Sequence, residues 1–115
     1  MVYVVQEPSA RFNKEGDKIA IDLSPALKFG QFRVLLEKAD VVLSTSPTVD
    51  RLRRELKNFS DDDYLLLIGD PVAIGLAVTV ACELNGGRVK ILRWMRQARD
   101  YAIVQVDLRP GGARA

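Results

Sequence analysis

Short apolar runs separated by turn signals make up most of this chain, and their pattern predicts a layered α/β domain. The longest run, Tyr64–Cys82 (YLLLIGDPVAIGLAVTVAC), holds nineteen residues and one charge, Asp70, between Gly69 and Pro71. Its length approaches that of a membrane span. An aspartate at the centre of a spanning helix costs about 2.5–3.5 kcal/mol, however, and Pro71 removes a backbone donor beside it, so no membrane partner is expected. A strand, a turn and a helix account for the run better. Tyr64–Ile68 has the continuous apolar character of a strand covered on both faces. Gly69 lets the chain turn, Asp70 is a favoured N-cap, and Pro71 suits the first helical position, where its missing N–H costs nothing. The helix then covers Val72–Leu84 and stops at Asn85-Gly86-Gly87. Its first eleven residues carry no charge, which predicts a helix buried all round, covered by its own chain or by a second copy in a homodimer.

The same logic reads the rest of the chain. Val2–Gln6 and Lys18–Leu23 are expected strands, joined by a polar loop, Glu7–Asp17. Ser24-Pro25 repeats the cap-plus-proline signal and starts a helix at Pro25. Either Gly30 closes that helix after one turn, leaving Gln31–Leu36 as a strand, or the helix continues to Lys38; a helical glycine costs only about 1 kcal/mol, so both remain open. Val41–Ser44 is a short extended segment. Ser46-Pro47 introduces an amphipathic helix, Thr48–Asn58, with Val49, Leu52, Leu56 and Phe59 inward and six charged residues outward. Arg88–Met95 and Tyr101–Leu108 alternate as two strands of a hairpin. Together these elements predict a small two- or three-layer α/β sandwich with a mainly parallel central sheet and a C-terminal antiparallel hairpin. The domain spans residues 1–108, and 109–115 (RPGGARA) form a disordered tail.

Composition narrows the chemistry. The 115 residues include no histidine and one cysteine, Cys82. Ser-His and Cys-His nucleophile pairs and the usual zinc sets are therefore excluded, so no transition metal or cofactor is expected, while a carboxylate-bound magnesium ion stays open and no metal site is assigned. A lone cysteine inside an apolar helix is a core residue, and the lack of any disulfide framework suits a reducing compartment. The N-terminus, MVYVVQEP, shows no basic region before an apolar one, so no signal peptide is expected. Charge is uneven: residues 1–83 are net −3, whereas 84–115 hold seven basic and two acidic residues, net +5. That basic third is a candidate partner surface.

The ordered pieces D-L-S-P-A (22–26), F-G (29–30), P-T-V (47–49), D-D-Y-L-L (62–66), G-D-P-V-A-I (69–74), N-G-G-R-V (85–89), L-x-W (92–94), R-Q (96–97) and V-D-L (106–108) resemble a group of small proteins of unassigned function encoded by tailed bacteriophages. The resemblance runs from Tyr3 to Leu108. It implies a phage-encoded protein working in the cytoplasm of the infected bacterial host, and it implies no reaction or cofactor. In that group an aspartate typically follows the tryptophan, where this chain has Met95.

Three sets of residues are candidates for function. The basic hairpin offers Arg88, Lys90, Arg93, Arg96 and Arg99 with Trp94 and Tyr101: cations for phosphates and aromatics on which bases stack. A solvated edge hairpin whose charges block strand pairing is the structural alternative, and arginine clusters also serve acidic protein partners. The second set is the strand-to-helix edge at Ser24, Ser46, Thr48 and Asp70. Open α/β sheets bind ligands there, and hydroxyls at a helix start suit phosphate, although capping alone explains these residue types. The chain lacks G-x-G-x-x-G after a strand and G-x-x-x-x-G-K-[ST], which excludes standard dinucleotide and P-loop sites. The third set pairs Asp70 with Asp22 or Asp107 as catalytic carboxylates. The leading expectation is a non-enzymatic phage accessory protein that binds nucleic acid or a host protein through the hairpin. A nucleotide- or phosphate-binding enzyme at the Ser46/Asp70 edge, or a homo-oligomer associating through helix 72–84, are the alternatives.

Overall fold

The structure, a computed structural model, describes residues 1–8, 11–12, 18–19, 22–37 and 45–111, with only the backbone given for 11–12 and 18–19. The expected loop Glu7–Asp17, the segment Val41–Ser44 and the end of the tail fall wholly or partly outside these residues.

Five strands make the main sheet: β1 (Val2–Gln6), β4 (Phe32–Leu36), β5 (Tyr64–Leu66), β6 (Arg88–Met95) and β7 (Asp100–Asp107). Their spatial order is β4-β1-β5-β6-β7. The first four are mutually parallel, with Tyr3 beside Arg33 on one flank and beside Leu65 on the other. β7 returns antiparallel to β6 from Arg88↔Asp107 to Met95↔Asp100. The expected mainly parallel sandwich with a terminal hairpin is therefore the fold.

Strand alternation divides the interior in two. Tyr3, Val5, Leu35, Leu65 and Val89 face one side and pack with Leu52 and Leu56 near α1 (Thr45–Glu55) and with Ala73, Ala77 and Val80 of α2 (Pro71–Leu84). Val2, Val4, Leu66 and Leu92 face the other side, where Ala26 and Phe29 of a 3₁₀ helix, Ser24–Phe29, cover them. β1 lies between two neighbours and two layers, so all five of its residues are buried.

Several boundaries differ from the sequence expectation. Lys18–Ile19 (β3) pairs with Arg11–Phe12 (β2) in a separate two-stranded sheet, and Asp22 and Leu23 belong to no strand. The helix expected at Pro25 is a 3₁₀ segment that Gly30 ends at φ +134°, which frees Phe32–Leu36 to be a strand. α1 starts at Thr45, so Ser46 lies within its first turn and is not its cap. Around α2 the local signals hold. Asp70 Oδ2 accepts from the N–H groups of Val72 (3.0 Å) and Ala73 (3.3 Å). At the other end Gly86 turns at φ +63° and Gly87 N–H donates to the Cys82 carbonyl, closing a Schellman motif. α2 is not wrapped all round. Ala73, Ala77, Val80, Ala81 and Cys82 are buried, while Val72, Gly75, Thr79 and Leu84 are exposed, because a single layer of helices covers this face of the sheet.

Candidate functional site

The hairpin residues separate into two groups. At its base the Arg88 guanidinium binds Asp61 at 3.1 Å, and Asn85 donates to the same carboxylate oxygen. Those two bonds hold the Asp61 carboxyl below the usual carboxylate range. Lys90 places its ammonium 4.4 Å from the centre of the Tyr64 ring. Both cations are thus held by their own chain, beside a small polar hollow of about 180 Å³ that Gln105 completes.

The tip differs. Arg96 to Arg99 form the turn, and Arg93, Arg96 and Arg99 are exposed. None of the three has a carboxylate partner among the described residues. By contrast Arg33 pairs with Glu55, Arg53 with Glu83 and Arg109 with Asp107. The one acid of the turn region, Asp100, is taken by Lys28. Arg99 has a φ of +49°, a conformation that glycine or asparagine adopts at less cost. Trp94 and Tyr101 sit opposite each other across the strands with rings edge-on at 5.0 Å. Trp94 is 45% exposed, whereas burial pushes the Tyr101 phenol up, with the Asp22 carboxylate adding to it. On the reverse face of the hairpin, Leu67, Ile91, Arg93 and Val104 border a shallow groove of about 340 Å³.

The strand-to-helix edge is not assembled as the sequence suggested. Ser24 does not cap its helix; its backbone N–H and hydroxyl both donate to Asp22, which lowers that carboxyl. The strand before it lies outside the main sheet, so Ser24 does not follow a strand of the parallel set as Asp70 does. Ser46 is exposed and Thr48 half-buried in α1. The Asp70–Asp107 pair is not formed. Asp107 closes β7 opposite Arg88, at the end of β6 where the parallel strands begin, while Asp70 follows β5 where they finish. Asp61, Asp62 and Asp63 do not converge: Asp61 serves Arg88 and Asn85, and Asp63 serves Ser60 and the N-terminal ammonium.

What the edge does contain is Gln6, which the sequence reading passed over. It ends β1, is 3% exposed, and accepts the Asp70 N–H on Oε1 at 2.7 Å. Its Nε2 is buried without a partner among the described residues. Gly69, at φ +130°, lies so close that a Cβ there would fall 2.5 Å from both Cβ and Oε1 of Gln6. The only signal in the sequence was one polar residue closing the run VYVVQ.

These features define a small doubly wound α/β protein with a cationic, aromatic hairpin tip and a polar corner at its first switch point. The chain belongs to the Phage Pam3 gp32-like protein family, whose model matches residues 1–108. It is accordingly a phage-encoded protein. No curated protein and no solved structure matches it. Among the described residues no helix is long and apolar enough to cross a membrane.

Proposed function

We propose that this is a phage accessory protein that binds single-stranded nucleic acid through the tip of the β6–β7 hairpin, in the cytoplasm of the infected host. The observation that supports it is the concentration at one hairpin tip of three exposed arginines without carboxylate partners among the described residues, Arg96 and Arg99 in the turn and Arg93 on the face opposite the half-exposed Trp94. Arg93, Arg96 and Arg99 would track phosphates while Trp94, braced by Tyr101, offers a face or edge to a base. Arg88 and Lys90, engaged at the base, would contribute long-range attraction only. Holding Arg99 in a left-handed turn residue keeps a cation where glycine would be more stable, which fits a binding role.

Trp94 is the sole tryptophan, so its fluorescence reports on the hairpin directly. Oligo(dT) should quench it, and with three phosphate contacts log K should fall with log[salt] at a slope of about −2. The variant Arg93→Gln/Arg96→Gln/Arg99→Gln should lose binding. Arg99→Gly alone should weaken binding with no loss of stability. Unchanged affinity in the triple variant would remove the proposal.

A protein partner is the second reading, favoured by the open edge of β7, where Ile103 (47%) and Val104 (40%) are exposed on opposite faces. It requires salt-insensitive capture that Val104→Lys abolishes and the arginine variants do not.

A further inference from the structure

We infer that the corner where β1 and β5 end binds a small uncharged ligand that presents a hydrogen-bond acceptor beside a hydroxyl or amino donor, the pattern of a nucleoside. The topology marks the place. The chain goes from β1 outward to β4, then crosses back to β5 on the other side of β1. The carboxyl ends of β1 and β5 therefore flank the point where the winding direction reverses, which is where open α/β sheets take their ligands.

The chemistry of the corner says what kind. Gln6 is an uncharged amide sealed at the start of α2, and its orientation is set, because Oε1 already accepts the Asp70 N–H. Nε2 is then a fixed donor with no acceptor among the described residues. Buried polar groups in folded proteins nearly always have partners, so this one calls for an oxygen or nitrogen that the described residues do not supply. Asp70 is itself the backbone donor of that hydrogen bond. Its Oδ2 takes both free N–H groups of the helix start, and Pro71 has none. No N–H remains for a phosphate, and the carboxylate would repel one. The Asp70 carboxylate instead welcomes a donor. Gly69 adds exposed backbone without a side chain, where none fits against Gln6.

The test follows the side-chain amide resonances of Gln6 by NMR during titration with adenosine, guanosine, cytidine and uridine, with ribose as a separate arm for the sugar alone and inorganic phosphate as the anionic probe. A nucleoside should shift the Gln6 amide, phosphate should neither shift it nor compete, and a response to ribose would assign recognition to the sugar. Asp70→Asn keeps an N-cap of equal quality but loses the anionic acceptor, so it should weaken binding about tenfold or more. Removing Arg93, Arg96 and Arg99 should leave this site unchanged, which separates it from the hairpin proposal. If neither nucleoside nor ribose moves the Gln6 amide, or Asp70→Asn binds as well as the parent, the inference fails. Exchange of the Gln6 amide with an enclosed water and nothing else would overturn it equally.

Discussion

Replacing Gly69 with alanine probes the polar contact that ties the end of the first strand to the start of α2. At φ +130° an ordinary residue is strained, at a cost of about 1–3 kcal/mol. The new Cβ would lie 2.5 Å from Gln6 Cβ and Oε1, far inside contact distance, and Gln6 is buried at 3% exposure. Relief requires Gln6 to withdraw, leaving the Asp70 N–H without its acceptor, a further cost of about 1–3 kcal/mol. The expected loss is therefore about 2–6 kcal/mol, a large share of the roughly 5–15 kcal/mol available to a domain. Gly75, six residues on and inside α2, is the internal control. A Cβ there meets nothing within 4 Å, so Gly75→Ala should raise stability by about 0.5–1 kcal/mol through helix propensity. Urea unfolding of the three proteins, followed by circular dichroism, measures both differences. A Gly69→Ala loss below about 1 kcal/mol, or the same sign for both substitutions, would refute the reasoning.

Two more predictions concern titration and reactivity. Arg109, through its guanidinium and then its backbone N–H, holds the Asp107 carboxyl down to about 2. A depressed carboxylate stabilises the fold fully above its unfolded value of about 3.9 and loses that contribution as pH falls through the folded value. The urea midpoint should therefore decline between about pH 4 and pH 2, and Asp107→Asn should flatten that part of the profile; an identical profile would exclude the pair as its source. Burial pushes the Cys82 thiol up, so Ellman's reagent should react slowly with the native protein and quickly in urea. Rapid, complete labelling without denaturant would show that the residue is not enclosed as the structure places it.

The two ends of α2 were legible because each is written within a few consecutive residues. Gly69-Asp70-Pro71 contains the turn, the cap and the first helical position, and Asn85-Gly86-Gly87 contains the stop. The hairpin was legible for the same reason, since alternation and a short polar turn are local. Ser24 and Ser46 misled because serine before proline marks a helix start in general, while a 3₁₀ turn or an earlier start satisfies the same two residues. Gly30 left two outcomes open; packing of Phe32–Leu36 beside β1 decided it.

Charge counts placed a basic surface in the last third of the chain, and only contacts from elsewhere divided it: Asp61 and Tyr64 hold Arg88 and Lys90, while Lys28 takes Asp100 and leaves the tip arginines free. Gln6 meets Asp70 across 64 positions, a pairing that no local pattern records. The sequence by itself determined most of the strands and helices, the stretch around Gly30 excepted, because propensity, caps and periodicity act over a few residues. The order β4-β1-β5-β6-β7, the open side of α2 and the polar corner at Gln6 were decided by tertiary structure, because each depends on which distant segments share a layer once the apolar faces are buried.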